Sequence, residues 1–147
     1  MDIMEIKGEL AWPARDVWAV VSDFGGLKAW NPALVSCSAE GRGVGAVRTF
    51  STKAATVKER IGELDDAGMK IGYSILSGST IPVRNAYLTI AVKPLDSKRC
   101  ELVWTMTGDP DGISAGELAA QVEKRYLGRI EDLRQHLRVS GTSAARS

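Results

Sequence analysis

A carboxylate set between two aliphatic residues marks the first place where this chain could do chemistry. In the segment 55–64, Ala55, Val57, Glu59, Ile61 and Glu63 share one parity, and Thr56, Lys58, Arg60, Gly62 and Leu64 the other. Successive side chains of a strand point to opposite faces, so the more apolar first set is expected inside, with Glu59 between Val57 and Ile61. A buried carboxylate without a partner costs several kcal/mol or takes up a proton, so Glu59 needs a partner, water or a ligand. The competing register slips near Lys58 and leaves Glu59 in solvent. A tight turn at Lys53-Ala54 would fold 46–52 back on 55–64 and set Arg48 opposite Glu59 and Phe50 opposite Val57. An inward Arg–Glu pair is either a structural bridge or the polar end of a cavity, where a few placed polar groups orient a ligand.

Other candidates cluster around that pair. Tyr73 shares parity with Ile71 and Ile75 and is expected inward, where its hydroxyl needs a polar partner or a ligand. Glu59 with Tyr73 is the best candidate acid–base pair, and Arg48 could polarise a carbonyl. The same parity argument predicts a cavity wall of Phe50, Val57, Ile75 and Leu88. Val122 and Tyr126 would face it from a helix, with Trp30 at its rim. Trp18 reads as core and Trp12 as a packing residue before Pro13. Trp104 alternates with Leu102 and Met106 on a face that the pattern does not assign.

Some chemistries are disfavoured. Cys37 and Cys100 lie 63 positions apart without CxxC spacing, and His136 is the only histidine. No metal or other cofactor is expected from such a set. Gly41-Arg42-Gly43-Val44-Gly45 lacks the Lys-Ser/Thr and the helix of a phosphate loop, and reads as a turn.

The elements that must position these residues follow from period. The segment 3–11 alternates as a strand, and Pro13 opens a helix with Ala14, Val17, Trp18 and Val21 on one face. Gly25-Gly26 separates it from a second short helix at 27–30. Strands follow at 35–39, 46–52, 55–64, 69–76, 87–93 and 100–107, with a loop at 78–85 and short connections that favour an antiparallel meander. From Ser114 to Arg138 the period becomes helical, and Ser114 with Glu117 fits a capping box. The order defines an α+β protein: an antiparallel sheet with one long helix across it.

Composition fits that picture. The 147 residues are 44% hydrophobic and 25% charged, with a net charge of +1, which offers no footprint for nucleic acid. The N-terminus lacks the apolar stretch of a signal peptide, and no run approaches the roughly 20 apolar residues of a membrane span. A cytoplasmic protein with reduced thiols is expected, with residues 1–139 as one domain and 140–147 as a disordered tail.

Several motifs, in order, resemble one known superfamily. Pro13-Ala14-Arg15-Asp16-Val17-Trp18, Asp23-Phe24 and Trp30-Asn31-Pro32 are similar to the opening of START-like (SRPBCC) proteins, in particular the polyketide cyclase/dehydrase branch. Gly43-Val44-Gly45-Ala46-Val47-Arg48, then Glu59-Arg60-Ile61 with Leu64-Asp65-Asp66, then Tyr73-Ser74-Ile75 and Pro82-Val83 continue the resemblance. It covers roughly residues 3 to 138. It implies the helix-grip fold: a seven-stranded antiparallel sheet wrapped around a long C-terminal helix. Two short helices lie between strands 1 and 2, and an apolar cavity lies between sheet and helix. The plant abscisic-acid receptors and the Bet v 1 allergens share that layout. Here Val35 stands where those receptors have their pocket lysine, and Ser51-Thr52-Lys53-Ala54 where they have their gate, so hormone sensing of that kind is not expected.

Three functions fit such a fold, and the fold does not choose among them. The first is binding of a small hydrophobic polyketide-, lipid- or aromatic-type molecule, as a monomer or homodimer. The second is a cyclase/dehydratase using Glu59, Tyr73 and Arg48. The third is a partner-regulating module with an apolar patch near the 78–85 loop.

Overall fold

The computed structural model describes residues 1–140; of the tail expected at 140–147, Ser140 instead caps the long C-terminal helix, its N–H donating to the His136 carbonyl, and 141–147 lie outside the described residues. Seven strands form one antiparallel sheet: β1 (Asp2–Leu10), β2 (Ser36–Glu40), β3 (Val47–Ser51), β4 (Thr56–Asp65), β5 (Lys70–Ser77), β6 (Val83–Pro94) and β7 (Cys100–Pro110). Their order across the sheet is β1-β7-β6-β5-β4-β3-β2, so β2 to β7 form a meander and β1 closes beside the last strand. Helix α1 (Ala14–Val21) and a 3-10 helix (Phe24–Ala29) link β1 to β2, and the long helix α2 (Ala115–Val139) ends the described chain.

The predicted apolar stripe of α1 is buried through Ala14, Val17, Trp18 and Val21. Its position is fixed by polar contacts to the β4–β5 turn. The Trp18 indole donates to Asp66 Oδ1 at 2.7 Å, and Arg15 donates to the carbonyls of Asp66 at 3.0 Å and Ala67 at 3.2 Å. Pro13 occupies the N-cap rather than the first helical turn. The second short helix starts earlier than its glycines imply: Gly25-Gly26 lies inside the 3-10 segment, kinked at Gly26. Trp12 is buried, and its indole N–H has no hydrogen-bond partner among the described residues.

Helix α2 begins with the expected cap, Ser114 Oγ accepting the Glu117 N–H at 3.2 Å. It buries Leu118, Val122, Ile130, Leu133 and Leu137. The helix packs closely on the sheet at Gly8 of β1, where a Cβ would stand 3.0 Å from Ile130 Cγ2 and 3.3 Å from Arg134 Nη2.

Simple alternation fails at four irregularities. In β1, Ile3 is the extra residue, since Asp2 pairs with Thr107 and Met4 with Met106. In β4, Ile61 pairs with Tyr73 and Glu63 with Gly72, so Gly62 is an extra residue. The bulge turns Glu63 to the outer face, against the parity reading, where Glu63 Oε1 accepts the Tyr87 hydroxyl at 3.0 Å. In β5, Leu76 is the extra residue, since Lys58 pairs with Ser77 and Glu59 with Ile75. In β6, the register shifts between Arg84 and Tyr87, and Asn85 takes φ 56°. The strand therefore begins at Val83 rather than after the expected loop. Asn tolerates that left-handed conformation better than most residues.

Candidate functional site

The β3–β4 hairpin brings the central pair together. Thr52 N–H donates to the Ala55 carbonyl at 2.8 Å, and Thr52 Oγ1 accepts the N–H groups of Ala54 and Ala55 at 3.1 and 3.2 Å. The turn lies at Lys53-Ala54 and gives the predicted register: Arg48 opposite Glu59, Phe50 opposite Val57. Glu59 Oε1 accepts from Arg48 Nε at 2.7 Å and Nη2 at 2.6 Å. Both side chains are buried, at 7% and 6% exposure. The extra residue near Lys58 belongs to β5, so Glu59 keeps its inward face.

Each nitrogen of the guanidinium contacts the protein, which engages three of its five N–H groups. Its third donor, Nη1, reaches the Phe24 carbonyl at 3.3 Å. It also lies over aromatic rings, 4.1 Å from the Phe24 centroid and 5.0 Å from that of Tyr73. Burial alone would lower the Arg48 pKa; the Glu59 charge and hydrogen bond outweigh it and the net direction is up. Glu59 Oε2 has no hydrogen-bond partner among the described residues, while Oε1 takes both guanidinium contacts.

A half-open cavity of about 300 Å³ lies between this pair, α2 and the loops at one end of the sheet. Arg48, Phe50, Val57 and Glu59 of β3 and β4 line it, with Tyr73 and Ile75 of β5. Tyr126 faces them from α2, and Trp104 from β7. Its mouth is formed by Asn31, Ala33 and Leu34 after the 3-10 helix, by Thr52, Ala54 and Ala55 of the turn, and by Ser79, Thr80 and Ile81 between β5 and β6. Leu27 of the 3-10 helix and Arg125 and Arg129 of α2 complete the lining.

Three residues expected at the cavity are not brought to it. Leu88 and Val122 are sealed in the core at 0% and 1% exposure, because their strand and helix are already packed where they sit. Parity and stripe identify a buried face but not which part of it stays unpacked. Trp30 is buried behind Trp104, its ring centroid 6.2 Å away, and borders a separate void of about 10 Å³.

Other lining residues escaped the sequence reading. Trp104 is inward, with its ring centroid 4.7 Å from that of Tyr126. Its indole N–H makes no hydrogen bond among the described residues. Asn31 is buried, with Oδ1 accepting the Ala33 N–H at 3.1 Å. Arg129 continues the helical face of Val122 and Tyr126 at i+7 and i+3, so the stripe extended by one turn would have found it. The 78–85 loop turns Ile81 into the core cluster, leaving that apolar side chain unavailable to a protein partner.

The two tyrosines hold their protons. Burial, then the Glu59 charge, pushes the Tyr73 hydroxyl well above the ordinary tyrosine range, against a smaller opposing effect of Arg48. Burial and Glu59 raise Tyr126 as well. The cavity therefore offers two phenol donors, the Glu59 Oε2 acceptor, the Arg125 and Arg129 side chains, and an apolar and aromatic wall. This suits hydrogen bonding to an oxygen-bearing ring system, and it presents no activated nucleophile.

A seven-stranded antiparallel sheet gripping one long helix, with a cavity between them, defines a helix-grip protein. The chain belongs to the polyketide cyclase / dehydrase and lipid transport family, whose model matches residues 3–138. Among similar solved structures, an uncharacterized protein of Bacillus thuringiensis has a TM-score of 0.80 at 25% identity, covering 90% of this chain and 96% of that one. The ZhuI aromatase/cyclase of a Streptomyces species has a TM-score of 0.73 at 21% identity, covering 95% and 96%. The two-domain aromatase/cyclase BexL has a TM-score of 0.80 at 20% identity, covering 95% of this chain and 47% of that one. At those identities, the last two show likeness of fold. No curated protein matches the chain. Among the described residues, no helix is long and apolar enough to cross a membrane.

Proposed function

We propose that this protein binds a small, largely apolar molecule of one or two rings in the cavity between sheet and α2. The observation that carries this is the 300 Å³ space itself, apolar along most of its wall and closed at its inner end by the Arg48–Glu59 pair. A cavity of about 150 Å³ accepts benzene, so twice that volume suits a bicyclic body. Glu59 Oε2, Tyr73 and Tyr126 would orient its polar groups.

Calorimetric titration with 2-naphthamide, a neutral two-ring probe with one polar group, tests the reading. Saturable one-to-one binding with a Kd on the order of 10–100 μM is expected. Ile75→Trp, which extends a half-buried wall residue into the space, should abolish it. Absence of binding to the native protein would sink the proposal.

A cyclase/dehydratase activity is the second reading, favoured by the family to which the chain belongs. Protonated Tyr73 and Tyr126 would donate to a carbonyl, and Glu59 would accept a proton. Arg48 is less suited to polarising a carbonyl, because Nε and Nη2 are engaged by Glu59 and Nη1 by Phe24. Ring closure with loss of water from a linear poly-β-carbonyl thioester, followed by mass spectrometry, distinguishes catalysis from binding.

A further inference from the structure

Charge is unevenly placed along the cavity. Its lining holds three arginines, Arg48, Arg125 and Arg129, and one carboxylate, Glu59. At the inner end the charges cancel within a 2.6 Å ion pair. At the mouth they cancel only in part, since Arg129 is paired and, among the described residues, Arg125 is not. Arg129 Nη1 pairs with Asp132 at 2.6 Å, which lies outside the lining. Arg125 lines the same opening one helical turn earlier, is exposed, and has no ion pair or hydrogen bond among the described residues. Residues i and i+4 on a helix are neighbours on its surface, so the two guanidinium groups share one rim. The half-buried Tyr126 lies between them in sequence and reaches the cavity.

We infer that the ligand carries a carboxylate, which sits at the mouth against Arg125 and Arg129 while its ring system fills the interior. This rests on the cavity-binding reading and assigns its substrate class: an aromatic or apolar acid rather than a neutral molecule or an amine. A carboxylate matches the planar fork of a guanidinium. The inner end would not attract it, since Arg48 is already neutralised and Glu59 Oε2 would repel a second carboxylate. The acid must therefore enter ring first.

The test compares two near-isosteric probes, 2-naphthoate and 2-naphthamide, by calorimetry on the same protein. The naphthoate is expected to bind about fivefold more tightly, the scale of a partly exposed charge contact. That ratio should fall towards one in Arg125→Gln combined with Arg129→Gln, and also in native protein as salt rises from about 0.02 to about 0.3 M. Thermal melting of the variant checks that it is folded; Arg125→Gln alone, which breaks no contact, should lower the ratio about twofold. Equal affinity of the native protein for the two probes would overturn the inference and leave cavity binding standing. A preference for naphthoate that survives the substitutions would overturn the assignment to this rim. Binding of neither probe would overturn the cavity reading and this inference with it.

Discussion

Arg48 and Glu59 combine two short contacts on one carboxylate oxygen with almost complete removal from water. Breaking such a pair strands a charge, and the loss exceeds what the pair itself contributed. Glu59→Gln should therefore lower stability by about 3–5 kcal/mol in urea unfolding. Replacing both partners by apolar residues, Arg48→Met with Glu59→Leu, should return stability to within about 1 kcal/mol of native or above it. That folded double variant should bind 2-naphthamide about tenfold more weakly, because the probe loses a charged acceptor. Unchanged binding would make the pair purely structural. The pair was legible in the sequence because one hairpin fixes its register and both strands alternate through it. Trp104 was not: Cys100, Leu102, Trp104 and Met106 share one buried face, but apolar Val103 on the other face blurred the assignment. The mouth arginines were missed for a different reason, since charge on a helix surface is the ordinary state of solvated residues.

Among the elements, the β5–β6 connection matters most to the cavity, because Ser79, Thr80 and Ile81 form part of its mouth. It is launched from Gly78 at φ 86°, where a Cβ would overlap the Thr56 carbonyl oxygen of β4. Only glycine meets both demands. Gly78→Ala should cost about 2–3 kcal/mol and, by displacing the loop, weaken probe binding in the same protein. A melting temperature within a degree or two of native would refute that account. Element order and type were readable from period, including the Ser114 cap. The irregularities were not: Gly62, Leu76 and Asn85 each add a residue or a twist that depends on the neighbouring strand. Gly62 is intelligible afterwards, because a Cβ there would stand 3.0 Å from the Tyr87 ring on the outer face.

Across the whole molecule, all three tyrosines have raised pKa values, from unlike surroundings. Tyr73 and Tyr126 are raised first by burial and next by the Glu59 charge, and Tyr87 is pushed up to about 12 by burial and its Glu63 contact. In each case the folded chain holds the phenolic proton more tightly than the unfolded chain. Their contribution to stability is whole below pH 10.0, the ordinary tyrosine value, and is lost as pH rises, for Tyr87 over the window up to about 12. Ultraviolet titration should show no tyrosinate step near pH 10 while the protein is folded, with Tyr87 ionising at about 12 and Tyr73 and Tyr126 only as the chain unfolds in alkali. A tyrosinate step near pH 10 in the folded protein would contradict the surroundings described. The overall grip of sheet on helix was foreseeable from order and resemblance. The cavity's extent was not, since it depends on how far α2 stands off each strand.

That standoff has a fulcrum. Helix α2 is 25 residues, about 37 Å long, and it rests on β1 at Gly8, where the sheet offers only a hydrogen. The arm carrying Tyr126 and the mouth arginines projects from there over the cavity. A larger residue at position 8 would act as a shim and reset the gap at the far side without touching any group that lines it. The capacity of the chamber is thus written partly at a position that never meets its contents. On the binding reading proposed above, a single step at β1 would change which guest fits while the lining residues stay as they are.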